Sequence, residues 1–301
     1  MEELHSVPAW KETLVTRIIQ ICGYSSILFV ILILYFLLSE GLPALWKADL
    51  NSLFSTRWYP TESYFGIWPL IFGSLFVTLG AGLVSVPLGI GTAVYISEVA
   101  PSWTKEILKP LVELLAGLPS VVLGFLGIQV LVPFMRRFFD LPTGLTALSG
   151  AILLGMISIP TMVSVAEDAL NTVPKSYREA SMALGATRWQ TIWGVTLPAA
   201  KSGVITAVLL GMGRAMGETM AVMMVTGNAP VMPQGLQTII LPIRTMTATI
   251  ASEMGEVAAG SVHYSVLFLI GIILFIISLV VNVVAFTLTS RKTTRSERLL
   301  S

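Results

Sequence analysis

The chain has 301 residues, of which 54% are hydrophobic and only 12% charged, roughly half the charged share of a soluble domain. A formal net charge of +1 gives no bulk attraction for nucleic acid. The single cysteine, Cys22, excludes an internal disulfide, and two histidines at opposite ends of the chain, His5 and His263, argue against a histidine metal site.

The N-terminal segment 1–17 is polar, with Glu2, Glu3, Lys11 and Glu12. Residues 18–38 then form an uncharged apolar run. A helix needs roughly 20 apolar residues to cross the hydrocarbon core, and this run is longer than the apolar region of a cleaved signal peptide. It reads as an uncleaved first span, with Cys22 as a small packing residue. The outer loop 41–67 carries Trp46, Trp58, Tyr59 and Tyr64. These read as an interfacial aromatic belt, with a docking surface for an external partner as the second reading.

Five further spans are expected, at 68–96, 111–134, 146–165, 203–227 and 264–289. Pro119 stands near the start of the third and Pro160 lies inside the fourth, both tolerable where neighbouring helices re-satisfy the backbone. A loop at 228–263 contains Pro230, Pro233 and Pro242. The fold class is an all-α membrane protein of about six transmembrane helices. Its expected divisions are the segment 1–17, a first helix and outer loop at 18–65, a core at 66–290, and a basic tail at 291–301.

Positive charge sets orientation. With the N-terminus in the cytoplasm, Lys11, Arg17, Lys105, Lys109, Lys175, Arg178, Arg188, Lys201, Arg291, Lys292, Arg295 and Arg298 lie inside. Lys47, Arg57, Arg136, Arg137 and Arg244 lie outside, a ratio of 12 to 5 that favours both termini in the cytoplasm.

The cytoplasmic loop at about 167–200 is punctuated for helices. Ser176 and Glu179 have capping-box spacing, Gly185 suits a left-handed helix end, and Thr187 with Gln190 makes a second box. The spacing predicts a short helix over 177–184, a sharp turn, and a second helix running through Leu197 and Pro198 toward span five. Such a loop is either an ordinary connector or a rigid knob able to transmit force from a soluble partner. The chain has no G-x-x-x-x-G-K-[ST] phosphate loop, so any ATP hydrolysis that drives it belongs to another chain.

Span five carries Arg214, 11 residues beyond Gly203. At 1.5 Å per residue that is roughly 16 Å, near the bilayer midplane. A central arginine costs about 2.5–3.5 kcal/mol and so faces protein or water. Glu218 follows four residues later and predicts an ion pair with Arg214. The pair is either a structural lock or an anion site, since a guanidinium fork suits phosphate oxygens. Gly213 and Gly217 predict a small face for close helix packing. Pro119 followed by Ser120 is either a broken helix whose free N–H groups meet an anion or a kink in the pore wall.

Two stretches carry a family resemblance. Glu179-Ala180-Ser181, then Gly185, then Val195, Leu197 and Pro198 resemble the EAA loop of ABC importer permeases, with Ser181 replacing an alanine and Val195 an isoleucine. The run from Gly213 through Arg214, Glu218 and Thr219 to Val222, and the patch from Leu115 to Gly124, are similar to phosphate-specific transport (Pst) permeases of the PstC type.

The resemblance implies a type I ABC importer transmembrane domain in the bacterial inner membrane, importing phosphate. It implies a substrate pathway at Arg214, Glu218, Thr219 and Ser120, and an ATPase-coupling surface at Ser176, Glu179, Ala180, Gly185, Leu197 and Pro198. It also implies a PstA-like second permease, two PstB-like ATPases that bind the ATP and magnesium, and a PstS-like external phosphate-binding protein. No cofactor is expected in this chain itself. The alternatives are an importer of sulfate or molybdate, an independent anion channel, or a membrane hydrolase built on Ser120 and Glu218.

Overall fold

The computed structural model describes the backbone of residues 9–297. The expectations for residues 1–8 and 298–301, His5 and Arg298 among them, lie outside the described residues. Long apolar runs leave each segment to satisfy its own backbone hydrogen bonds, and the chain is accordingly helical. Helix α1 spans Ala9–Gly41. A small hairpin follows, β1 at Trp58–Tyr59 pairing antiparallel with β2 at Tyr64–Phe65. Then come α2 at Trp68–Val94, extended by a π-helical turn over Tyr95–Val99, and α3 at Ser102–Gly117. Next are α4 at Ser120–Phe138, α5 at Ala147–Asn171, α6 at Lys175–Ala183 and α7 at Arg188–Ala199. The chain ends with α8 at Lys201–Gly217, α9 at Met220–Val225, α10 at Met246–Glu253 and α11 at Val262–Glu297.

Five described helices are long and apolar enough to cross a membrane, and counting α7 and α8, bent by 74°, as one span makes six. Helix α5 is the hub, packed against α2, α8 and α3. Glycines let the backbones approach: Gly150 meets Thr226, Gly155 meets Val84, and Gly211 meets Met162. Helices α1 and α11 pair at the periphery, where Phe36 meets Phe268 edge to face at 5.5 Å. Ile19, Ile33 and Tyr35 on α1 stay exposed, because lipid tails are as apolar as the side chains they meet.

Several expectations are corrected. The third span begins at Ser120 and not at residue 111. Pro119 adopts an extended backbone with no helical N–H to give, and Leu118 before it is extended too. The preceding stretch forms the separate helix α3, clamped to α5 by Lys109 and Glu167 at 3.0 Å. The hydrogen bond to Glu167 raises the Lys109 pKa. The clamp therefore keeps its charge through neutral pH and loosens only as pH rises past the ordinary lysine range.

Trp58 is buried at 2% exposure and belongs to the core, while Trp46, Tyr59 and Tyr64 are exposed as a belt requires. Cys22 is exposed on α1 and is not a buried packing residue. Ser176 and Glu179 form no capping box. Pro174 takes the N-cap position of α6 with no side-chain capping bond, which places Ser176 within the first turn. The box of Thr187 and Gln190 is present, and Gly185 takes the left-handed φ of 87°. Gly213 and Gly217 have no close neighbour; they line an open groove of about 330 Å³ against Leu37 and Gly271.

Residues 241–245 run back into the bundle beside α2, and a methyl on Gly73 would fall on the carbonyl of Arg244. Gly73→Ala is expected to cost about 1–3 kcal/mol and to lower the thermal midpoint of the detergent-solubilised protein. Gly91→Ala, where nothing lies within 4 Å, should leave the midpoint unchanged or higher.

Candidate functional site

Helix α8 carries Arg214 in its last turn, half-buried. Its Nη1 donates to the Thr161 hydroxyl at 3.2 Å, one residue after Pro160 on α5. Its Nη2 donates to the Ala116 carbonyl at 3.4 Å, in the last turn of α3. That carbonyl is one of those a helix end leaves unsatisfied, and the negative end of the α3 dipole favours a cation there. The guanidinium thus sits where three helices meet.

Glu218 does not pair with Arg214. The helix stops at Gly217, and Glu218 takes an extended backbone with ψ 130°. Its carboxylate accepts the Thr219 N–H at 3.2 Å, while the Thr219 hydroxyl donates to the Gly217 carbonyl at 3.3 Å. The i,i+4 geometry exists only on an unbroken helix, and span five is broken at this point.

Three arginines are half-buried among the described residues, and they differ in one respect. Arg178 pairs with Glu98 at 2.6 Å and Arg244 with Glu253 at 2.6 Å. Arg214 has a hydroxyl and a carbonyl but no carboxylate. A guanidinium has five N–H donors, so with two of them used Arg214 retains a charge and a donor fork of the kind that can bind an oxyanion.

Ser120 opens α4 four residues after Ala116. A side chain on Gly124 would meet Ala221 and Met224, and one on Gly127 would meet Val225. Helices α4 and α9 therefore run parallel in register, and Ser120 and Thr219 stand at neighbouring helix starts. The structure brings Arg214, Glu218, Thr219 and Ser120 into one region with two helix breaks. No hydrogen bond joins Ser120 to Glu218 among the described residues, so the hydrolase reading has no nucleophile and base in contact.

The α6 residues lie elsewhere. Ser176, Glu179 and Ala180 are exposed on α6, Gly185 ends it, and Leu197 and Pro198 lie in α7. Arg178 fastens α6 to the bundle. It donates to both oxygens of Glu98 beyond α2 and to the carbonyls of Val173 and Leu170. The Ser181 and Thr191 hydroxyls meet at 3.0 Å, tying α6 to α7. Leu184 and Trp189 remain exposed beside this rigid helix, at 90% and 60%.

One cluster had no signal in the sequence. At the hairpin end, Glu253 accepts from Arg244 and from the Trp58 indole N–H at 3.1 Å, and meets His263 Nε2 at 2.8 Å. Trp58 and Glu253 are 195 residues apart, so no local spacing could announce them.

Replacing Arg178 by Met strands the Glu98 carboxylate. A loss of about 3–5 kcal/mol is expected for breaking such a buried pair. It should appear as faster proteolysis between α6 and α7, with Arg178→Lys intermediate because it lacks the fork.

Residues 85–294 match the family model described as a binding-protein-dependent transport system inner membrane component. The probable ABC transporter permease protein YqgH of Bacillus subtilis is 44% identical over 247 residues, 81% of this chain and 79% of its own length. The phosphate transport system permease protein PstC of Xylella fastidiosa is 36% identical over 264 residues, 81% of this chain and 80% of its own. Among solved structures, a bacterial alginate ABC transporter in complex with its alginate-bound periplasmic protein matches with TM-score 0.61 at 16% identity, covering 96% of this chain and 98% of its own. That likeness is one of fold.

Proposed function

The chain belongs to the binding-protein-dependent transport system inner membrane components, and from that membership we propose that it is the PstC-type permease subunit of an ATP-driven phosphate importer. The observation that carries the substrate is Arg214, a half-buried guanidinium without a carboxylate partner, set beside two broken helices. Glu218 shares its region but is held by a backbone N–H, which leaves the arginine's charge uncancelled. Phosphate can keep a proton at neutral pH and so tolerates a nearby carboxylate; fully ionised sulfate tolerates it less. Relatives described as phosphate permeases PstC share 31–36% identity with this chain.

The α6 surface faces the cytosol in this reading, with both termini on that side, as the positive-charge bias supports. The Arg178 fastening makes α6 stiff enough to receive motion from an ATPase, and the exposed Leu184 and Trp189 give apolar contact for its groove. Two such ATPases bind ATP and magnesium and perform the hydrolysis, a second permease completes the pathway, and an external binding protein delivers phosphate. This chain supplies the path and no cofactor.

Arg214→Gln is expected to reduce radiolabelled phosphate uptake by about tenfold or more, the effect of losing roughly one charge-assisted hydrogen bond. The measurement is made in cells lacking other phosphate importers, with the assembled complex recovered intact. Uptake equal to wild type removes Arg214 from the pathway. Excess sulfate should leave wild-type uptake unchanged; competition by sulfate would make this an importer of another oxyanion.

A further inference from the structure

The Glu253 cluster has no part in the substrate path, yet it is connected to it. Each carboxylate oxygen of Glu253 is taken. Oε1 accepts from Arg244 Nη1 and Trp58 Nε1, and Oε2 meets His263 Nε2. These three partners come from β1, the segment before α10, and the first turn of α11. Arg244 further donates to Asn228 at 2.8 Å and to Ser252 at 3.1 Å. Trp58 packs edge-on against His263 and Phe65, at centroid distances of 6.0 and 6.1 Å. The hairpin therefore cannot shift without moving the C-terminal end of α10.

The other end of α10 reaches the break in span five. The Thr247 hydroxyl donates to the Glu218 carbonyl at 3.2 Å. Thr245 caps the helix through the Ala248 N–H, and Met246 N–H donates to Ser74 on α2 at 2.9 Å. Met246, Thr247, Ala248 and Thr249 are all buried. From Thr247 to Glu253 the helix rises about 9 Å. It is a short, rigid rod with one end in a charged joint at the hairpin and the other on the backbone of Glu218. The hairpin's outward residues, Tyr59 and Tyr64, are exposed at 61% and 43%.

We propose that α10 is a positioning strut: displacement of the hairpin passes through Trp58 and Glu253, along α10, and through Thr247 to the backbone at Glu218. Neither Thr247 nor Trp58 touches substrate; they set where the break in span five stands relative to Arg214. The proposal rests on the reading of this chain as an importer subunit that meets an external binding protein on the hairpin face.

The test uses the complete assembly with its own partners, purified and reconstituted in proteoliposomes. ATP hydrolysis is measured with and without phosphate-loaded binding protein, alongside phosphate uptake. Thr247→Val and Trp58→Phe are each expected to leave unstimulated hydrolysis at the wild-type rate. Each should cut the stimulation by about tenfold, within the range of couplings between distant sites. Thr247→Ser, which keeps the hydroxyl, should restore it. The double variant should be no worse than the weaker single one, because both lie on one path. Retained stimulation, losses that multiply in the double variant, or equal falls in basal and stimulated rates would each overturn the strut. A wild-type assembly that neither imports phosphate nor responds to the binding protein overturns the importer reading, and the strut with it.

Discussion

A positive charge held among helices without a negative partner is the constraint around which the centre of this protein is organised. An arginine so placed must be met by something other than lipid. Here it is met by the open end of α3 and by a hydroxyl beside a proline on α5. The elements that meet it are the irregular ones. An unbroken third span running through residue 116 would have its carbonyls committed to its own helix, and an unbroken fifth span would have placed Glu218 within reach of the guanidinium. The two breaks together keep the charge available.

The breaks arise by different chemistry. The first follows from Pro119, which cannot donate an N–H and which drives Leu118 out of the helical region. The second has no proline. Gly217 weakens the helix, and local hydrogen bonds from Thr219 take over the backbone groups that the next turn would have used. The segment 241–245 and the first turn of α10 then fill the space, with Met246 bonded to Ser74 and Thr247 to the freed Glu218 carbonyl. Irregular backbone within membrane spans is tolerable where protein or a water-filled cavity, not lipid, meets it.

The two ends of the bundle use one device. At one end Arg178 binds Glu98, the Leu170 carbonyl in the last turn of α5 and the Val173 carbonyl just beyond it, and at the other Arg244 binds Glu253, Asn228 and Ser252. The first fork joins segments 80 residues apart and the second ties together neighbouring segments 8 to 16 residues apart, each with geometry a lysine could not reproduce. Both ends of the bundle are thereby cross-linked by a charged fork. The central arginine, unpaired, is the one left free to respond.

The membrane class, the placing of most spans, the left-handed end at Gly185 and the Thr187–Gln190 cap were legible in the residues. Each depends on local periodicity or on a side chain bonding its own neighbours. Arg214 stood out for the same reason, as a charge within an apolar run. The separate helix α3 was not legible: Lys105 and Lys109 were placed in the cytoplasm, but the residues from 111 onward, Glu113 included, merged into the expected third span. The failed Arg214–Glu218 pair, the burial of Trp58, and the joint of Glu253 with Arg244 and His263 were decided by tertiary structure. A break in one helix changes which side chains share a face, and contacts across 195 residues leave no trace in spacing. Local chemistry determined the helices and most of their ends; packing among them decided which charges would be paired and which would stay open.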